Sequence, residues 1–175
     1  MDAIVEAALR KWPNVPACRG WLGLDARGQW WLRDERAQAA GPFPRVKGSR
    51  IDNERLREFI GRNYACDERG AWFFQNGPQR VYVELEAAPW VWRLAAADGA
   101  PRIASHSGRA ARFEAALQDE AGRLFLATDL GLGLVHTQDV AAAADAVERG
   151  LWAVDEARFA ELPARYGYVT SPAAT

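Results

Sequence analysis

The chain has 175 residues and a formal net charge of −1, with 49% apolar and 26% charged residues, which fits one domain or two small ones sharing a core and not a disordered chain. Its 22 basic residues, all arginine except Lys11 and Lys47, are scattered, so no basic stripe invites nucleic acid and no field holds the chain to an acidic membrane. No apolar run approaches the ~20 residues of a membrane span, and MDAIVEAALRKWP carries acidic residues inside its apolar pattern, unlike an export signal; the expected location is cytoplasmic.

Residues 2–11 place apolar side chains at helical spacing and stop before Pro13. LDARGQWWL, at 24–32, then introduces a phrase that returns as CDERGAWFF at 66–74 and QDEAGRLFL at 118–126. Asp at the first position can accept from its own backbone two residues on, and Gly at the fourth can take positive φ, so each phrase closes a hairpin. The spacings, 42 and 52 residues, and the divergent flanks read as three independently chosen turns and not a repeat. Trp30 and Trp31 point one ring to each face of their strand. DERAQAAGPFPRVKGSR, at 34–50, reads as a linker or mobile loop. It divides an N-terminal helix and first hairpin (1–50), separate or part of the same domain, from a main antiparallel sheet with flanking helices (51–175).

IDNERLREFIGRN offers Asp52 or Asn53 as cap and Ile51, Leu56, Phe59 and Ile60 as an apolar stripe. AWFFQNGPQRVYVELEAAPWVWRL, at 71–94, reads as a three-stranded meander with loops at 76–79 and 86–89. One register puts Trp72, Phe74, Val81, Val83, Leu85, Trp90, Trp92 and Leu94 on a single face. Further on, TQDVAAAADAVERG begins at a Thr137 or Asp139 cap and ends at Gly150. DEARFAEL reads as a short helix stopped by Pro163, and YGYVTSPAAT as an edge strand that frays. The expected class is α+β: antiparallel hairpins and meander in a strongly curved sheet or partial barrel, with three to four helices on or beside it.

Little of this carries chemistry. His106 and His136 are 30 residues apart and lack the clustered ligands a zinc site needs, so neither metal nor cofactor is expected. In SHSG the hydroxyls flanking His106 point to the opposite strand face from the imidazole. His136 is placed to bond the start of the following helix. Gly131 and Gly133 form a lone GxG, read as packing glycines over a phosphate cradle. Cys18 and Cys66 read as reduced thiols.

The meander's other face is the candidate site. Phe73, Arg80, Tyr82, Glu84 and Arg93 alternate aromatics with arginines, an arrangement suited to an anion on a flat or apolar body. Its rival is a plain or helix-covered face with cross-strand charge pairs.

ARGQWWLRDE, SRIDNERLREFI and VELEAAPWVW, within residues 20–95, resemble short proteobacterial proteins that form an uncharacterised family of unknown function. The resemblance implies a stand-alone β-rich module, regulatory or small-molecule-binding, and supplies no catalytic residues. The functional expectation is a non-enzymatic module for a small, anionic ligand or a protein partner, as monomer or homodimer. The alternatives are an enzyme using His106 or His136 with Arg and Glu from the sheet, and a structural interaction domain.

Overall fold

The computed structural model describes residues 1–173, which form two compact units. The first comprises Met1–Asp25, Gln29–Glu86 and Gly167 onward; the second comprises Ala26–Gly28 and Ala87–Tyr166. The boundary therefore falls after Glu86, and residues 1–50 form no unit of their own. The stretch expected to divide the chain carries a helix whose cap, Asp34, accepts from the Ala37 N–H at 2.8 Å. It is also pinned by buried Arg33, which donates to the carbonyls of Gly20, Gly41 and Val46.

Unit 1 contains β1 (Cys18–Leu24), β2 (Trp30–Leu32), β3 (Ser49–Arg50), β4 (Tyr64–Cys66), β5 (Trp72–Asn76) and β6 (Gln79–Leu85), in the order β3-β2-β1-β6-β5-β4. Its helices are α1 (Ala3–Lys11), α2 (Glu35–Ala40) and α3 (Glu54–Arg62). Asn53 caps α3 by accepting from Leu56 N–H at 3.0 Å. Unit 2 contains β7 (Trp90–Ala95), β8 (Arg102–Ser105), β9 (Ala110–Ala111), β10 (Phe113–Gln118), β11 (Leu124–Thr128), β12 (Gly131–Val135) and β13 (Val154–Glu156), with α4 (Val140–Glu148) and α5 (Leu162–Tyr166). Its sheet runs β13-β10-β11-β12-β7-β8-β9 and curls strongly into a half-barrel. The α+β class holds.

The two sheets repeat one topology. In each, the first strand pairs antiparallel with the second and parallel with the sixth, and the fourth, fifth and sixth are antiparallel neighbours. The registers also recur 52 positions on: Cys66↔Trp72 becomes Gln118↔Leu124, and Phe73↔Tyr82 becomes Phe125↔Leu134. The Asp67 and Asp119 turns are thus equivalent places in a repeated unit. Asp25 sits instead between a first and a second strand, so two of the three phrases correspond and the third does not.

This topology corrects the meander. The loop at 76–79 and the β5–β6 register are as the sequence suggested, with Phe74 opposite Val81. Beyond Leu85, however, the chain passes to the other sheet. β6 is flanked by β1 and β5, and β7 by β8 and β12. Both are central strands with no free edge, so β6 and β7 do not pair. Their buried stretches, Tyr82–Leu85 and Trp90–Trp92, are covered on both faces, as suits a strand next to a parallel partner. Trp92 is nonetheless fully buried, donating from Nε1 to the Leu126 carbonyl at 2.9 Å. A Cβ at Gly133 would stand 2.4 Å from that Nε1, so this glycine serves the ring's close approach.

Two C-terminal expectations also change. DEARFAEL is part of β13, a 3-10 turn (Phe159–Glu161) and the start of α5, because β13 pairs in parallel with β10. Pro163 lies in the first turn of α5, where its missing N–H costs nothing. Residues 167–173 form no strand; Ala174 and Thr175 of the expected edge strand lie outside the described residues. No helix among the described residues is long and apolar enough to cross a membrane.

Candidate functional site

The turn between β4 and β5 begins the site. Asp67 Oδ1 accepts from the backbone N–H groups of Arg69 and Ala71, each at 3.0 Å. Oδ2 accepts from the Tyr82 hydroxyl at 2.9 Å. Burial pulls the Asp67 carboxyl up, but these three hydrogen bonds and the charge of Arg80 outweigh it and hold the group below its ordinary value. The carboxylate therefore stays ionised while orienting the phenol.

Tyr82 packs edge-on against its cross-strand neighbour Phe73, with ring centroids 6.0 Å apart. Ala71 completes this small core, and Val169 packs on it. Arg80 lies over the Phe73 ring at 4.3 Å and Arg19, from β1, over the Tyr82 ring at 4.6 Å. Arg69 comes from the turn itself. The result is a cleft of about 770 Å³ whose wall includes Arg19, Arg69 and Arg80, the acidic Asp67 and Glu68, Tyr82, Val169 and Pro172. Among the described residues, none of the three arginines has a carboxylate within ion-pair distance. Cys66 at the rim is held as a thiol, because burial first and the Asp67 charge second push its pKa up.

Phe73, Arg80 and Tyr82 thus come together as the sequence suggested. Glu84 shares their strand face but is 4% exposed. It accepts from Ser171 Oγ at 2.5 Å and Ala173 N–H at 3.0 Å. Arg93 belongs to unit 2 on β7, and its guanidinium is paired with Asp139. Its expected place beside Tyr82 falls with the β6–β7 pairing. What covers the face is an extended C-terminal segment and not a helix. Leu85 N–H donates to Thr170 O at 2.8 Å, and Val169 N–H to Gly70 O at 2.9 Å. Gly70, at φ 80°, permits this contact, since a Cβ there would lie 2.4 Å from Gly167 O.

Sequence reading missed Arg19 and Arg69. Arg69 was visible inside CDERG, but nothing local marks Arg19, which reaches the cleft through the parallel β1–β6 joint.

The histidines have structural tasks. His136 Nδ1 accepts from Gln138 N–H at 3.1 Å, capping the 3-10 turn Thr137–Asp139 as expected. His106 Nδ1 accepts from Val91 N–H at 3.3 Å, with its ring against Trp90. Among the described residues no group of three or more His, Cys, Asp or Glu could hold a metal ion.

Residues 1–173 match DUF2944, described as "Protein of unknown function (DUF2946)". The chain belongs to this family. Comparison with curated proteins gives no match. Among solved structures it is similar to a DUF1285 family protein from Silicibacter pomeroyi DSS-3, at 15% identity and a TM-score of 0.52, covering 83% of this chain and 84% of that one. A DUF1285 family protein from Shewanella baltica OS155 matches at 12% identity and a TM-score of 0.45, covering 71% and 91%. The first likeness shows a shared fold and says nothing of a shared ligand.

Proposed function

We propose that this DUF2944 protein is a non-enzymatic module that takes a small anionic ligand in the unit 1 cleft. One observation carries the reading: among the described residues Arg19, Arg69 and Arg80 line one cleft with no carboxylate at ion-pair distance, and of the two carboxylates that share its lining, Asp67 is engaged by the turn and Tyr82 while Glu68 is exposed. Guanidinium groups left in this state offer bidentate contacts to a phosphate or carboxylate. The Tyr82 and Phe73 rings fix two of them from below by cation–π contact. Calorimetric titration with inorganic pyrophosphate tests the reading. Saturable 1:1 binding to wild type, weakened about tenfold or more by Arg80→Met through loss of charge-assisted hydrogen bonds, is the expected result. Equal affinities would move the ligand elsewhere.

A further inference from the structure

The face that carries the arginines is partly covered by the segment 167–173, which is held by packing of Val169 on the Phe73–Tyr82 core and by buried polar contacts. Glu84, a carboxylate with 4% exposure, has no ion pair within 4 Å among the described residues, although Arg33 lines the same small cavity. Its two oxygens are taken by Ser171 Oγ and Ala173 N–H, both on the segment. Two further hydrogen bonds tie the segment to β6 and to the Asp67 turn, at Leu85 and Gly70. The same segment contributes Val169 and Pro172 to the wall of the arginine cleft. A buried carboxylate whose acceptors are met only by one stretch of chain is strongly disfavoured when that stretch leaves, unless water replaces it. Docking of the segment therefore exchanges the hydration of Glu84 for these two hydrogen bonds.

We infer that segment 167–173 is a strap latched by Glu84, and that anion binding in the arginine cleft and strap docking are coupled. This rests on the reading of the cleft as an anion site. A ligand whose site includes Val169 and Pro172 loses part of that site when the strap lifts, so it favours the docked state, and docking favours the ligand by the same factor. The strap then reports occupancy of the cleft at a place the ligand does not touch.

Amide hydrogen exchange on the full chain tests this, with inorganic pyrophosphate as probe. The Leu85 and Val169 amides can exchange only when the strap lifts, since both of their bonds involve it. At a hundred times the dissociation constant, pyrophosphate should slow both measurably, with about a hundredfold as the ceiling reached only if lifting the strap abolishes binding. The Arg57 amide, bonded to Asn53 O at the start of α3, should not change. Without ligand, Ser171→Ala should speed both strap amides roughly tenfold or more, as loss of a hydrogen bond to a charged group implies. If pyrophosphate binds and Arg80→Met abolishes binding, but Leu85 and Val169 exchange as before, the coupling is wrong and the anion site stands. Equal slowing of Arg57 would also overturn the coupling, as general stabilisation. Unchanged exchange in Ser171→Ala would remove the latch. No saturable binding by wild type would overturn the anion site and the coupling with it.

Discussion

The turn between the fourth and fifth strands is built alike in both units, yet the two copies treat their arginines in opposite ways. Asp119, like Asp67, accepts from two backbone N–H groups through one oxygen. Its other oxygen holds Arg123, whose guanidinium lies over Phe159 and Phe125 at 4.2 and 5.5 Å. The equivalent of Arg123 in unit 1 is Ala71, and the equivalent oxygen of Asp67 holds a tyrosine. On the sixth strand the contrast continues. Arg80 and Tyr82 correspond to Leu132 and Leu134, which are buried core residues. One copy pairs Arg123 internally and places buried leucines where the other has Arg80 and Tyr82, and the cleft of about 640 Å³ at its turn is lined by Asp119, Glu120, Glu156 and Glu161. The other leaves Arg19, Arg69 and Arg80 without a carboxylate at ion-pair distance among the described residues, in a cleft that Asp67 and Glu68 also line. A shared scaffold thus carries an internal ion pair at this turn in one copy and a tyrosine hydrogen bond in the other, and the proposed anion site lies with the second.

The sharpest way to break this comparison is through the second copy's core. Trp92→Ala should cost ~3–5 kcal/mol, as removal of a large buried aromatic does, measured by urea unfolding. Leu132→Ala should cost ~2–5 kcal/mol and leave pyrophosphate affinity unchanged. Arg80→Met, at the equivalent position of unit 1, should do the reverse: a stability change below ~1 kcal/mol with most of the affinity gone. If both variants behave alike, the division of labour between the copies is wrong.

The Asp67 carboxyl gives a pH test. Its folded pKa lies below its unfolded value of about 4, so the stabilisation it confers is present above that pH and fades as pH falls through the folded value. Wild type should therefore exceed Asp67→Asn in stability at pH 6, and the gap should narrow below about pH 4 in urea titrations. A gap constant down to pH 2.5 would detach Asp67 from the turn and Tyr82. The smallest effect is expected at Arg93, whose side chain is half exposed beside Asp139. Arg93→Lys should shift stability by less than ~1 kcal/mol and leave the titration with pyrophosphate unchanged.

What the sequence made legible was local. The Asp-x-x-Gly turns, the Asn53 cap, the His136 cap and the β5–β6 register all depend on residues a few positions apart, where side-chain chemistry fixes the backbone directly. Asp34 was an equally clear cap, hidden by the glycine and prolines that follow it. The illegible parts are the parallel joints. APWVWRL after VYVEL has the pattern of a hairpin, and no nearby residue shows that β6 already has both neighbours. Because β1 joins β6 across nearly sixty intervening residues, Arg19 could not be placed, and Arg93 was placed wrongly. The repeated unit escaped for a related reason: its equivalent positions exchange Arg80 for Leu132 and Tyr82 for Leu134, preserving register while erasing identity.

The strap also sets an order of events during synthesis. Unit 1 opens the chain, but the segment that walls its cleft follows the whole of unit 2 in sequence. Translation runs from N- to C-terminus, so on the ribosome the three arginines and Tyr82 are made long before Val169 and Pro172. A nascent chain can pair its strands while still lacking the finished cleft. Glu84 meanwhile waits in solvent for Ser171 and Ala173, and the arginines acquire their complete surroundings only after the second unit has left the decoding centre.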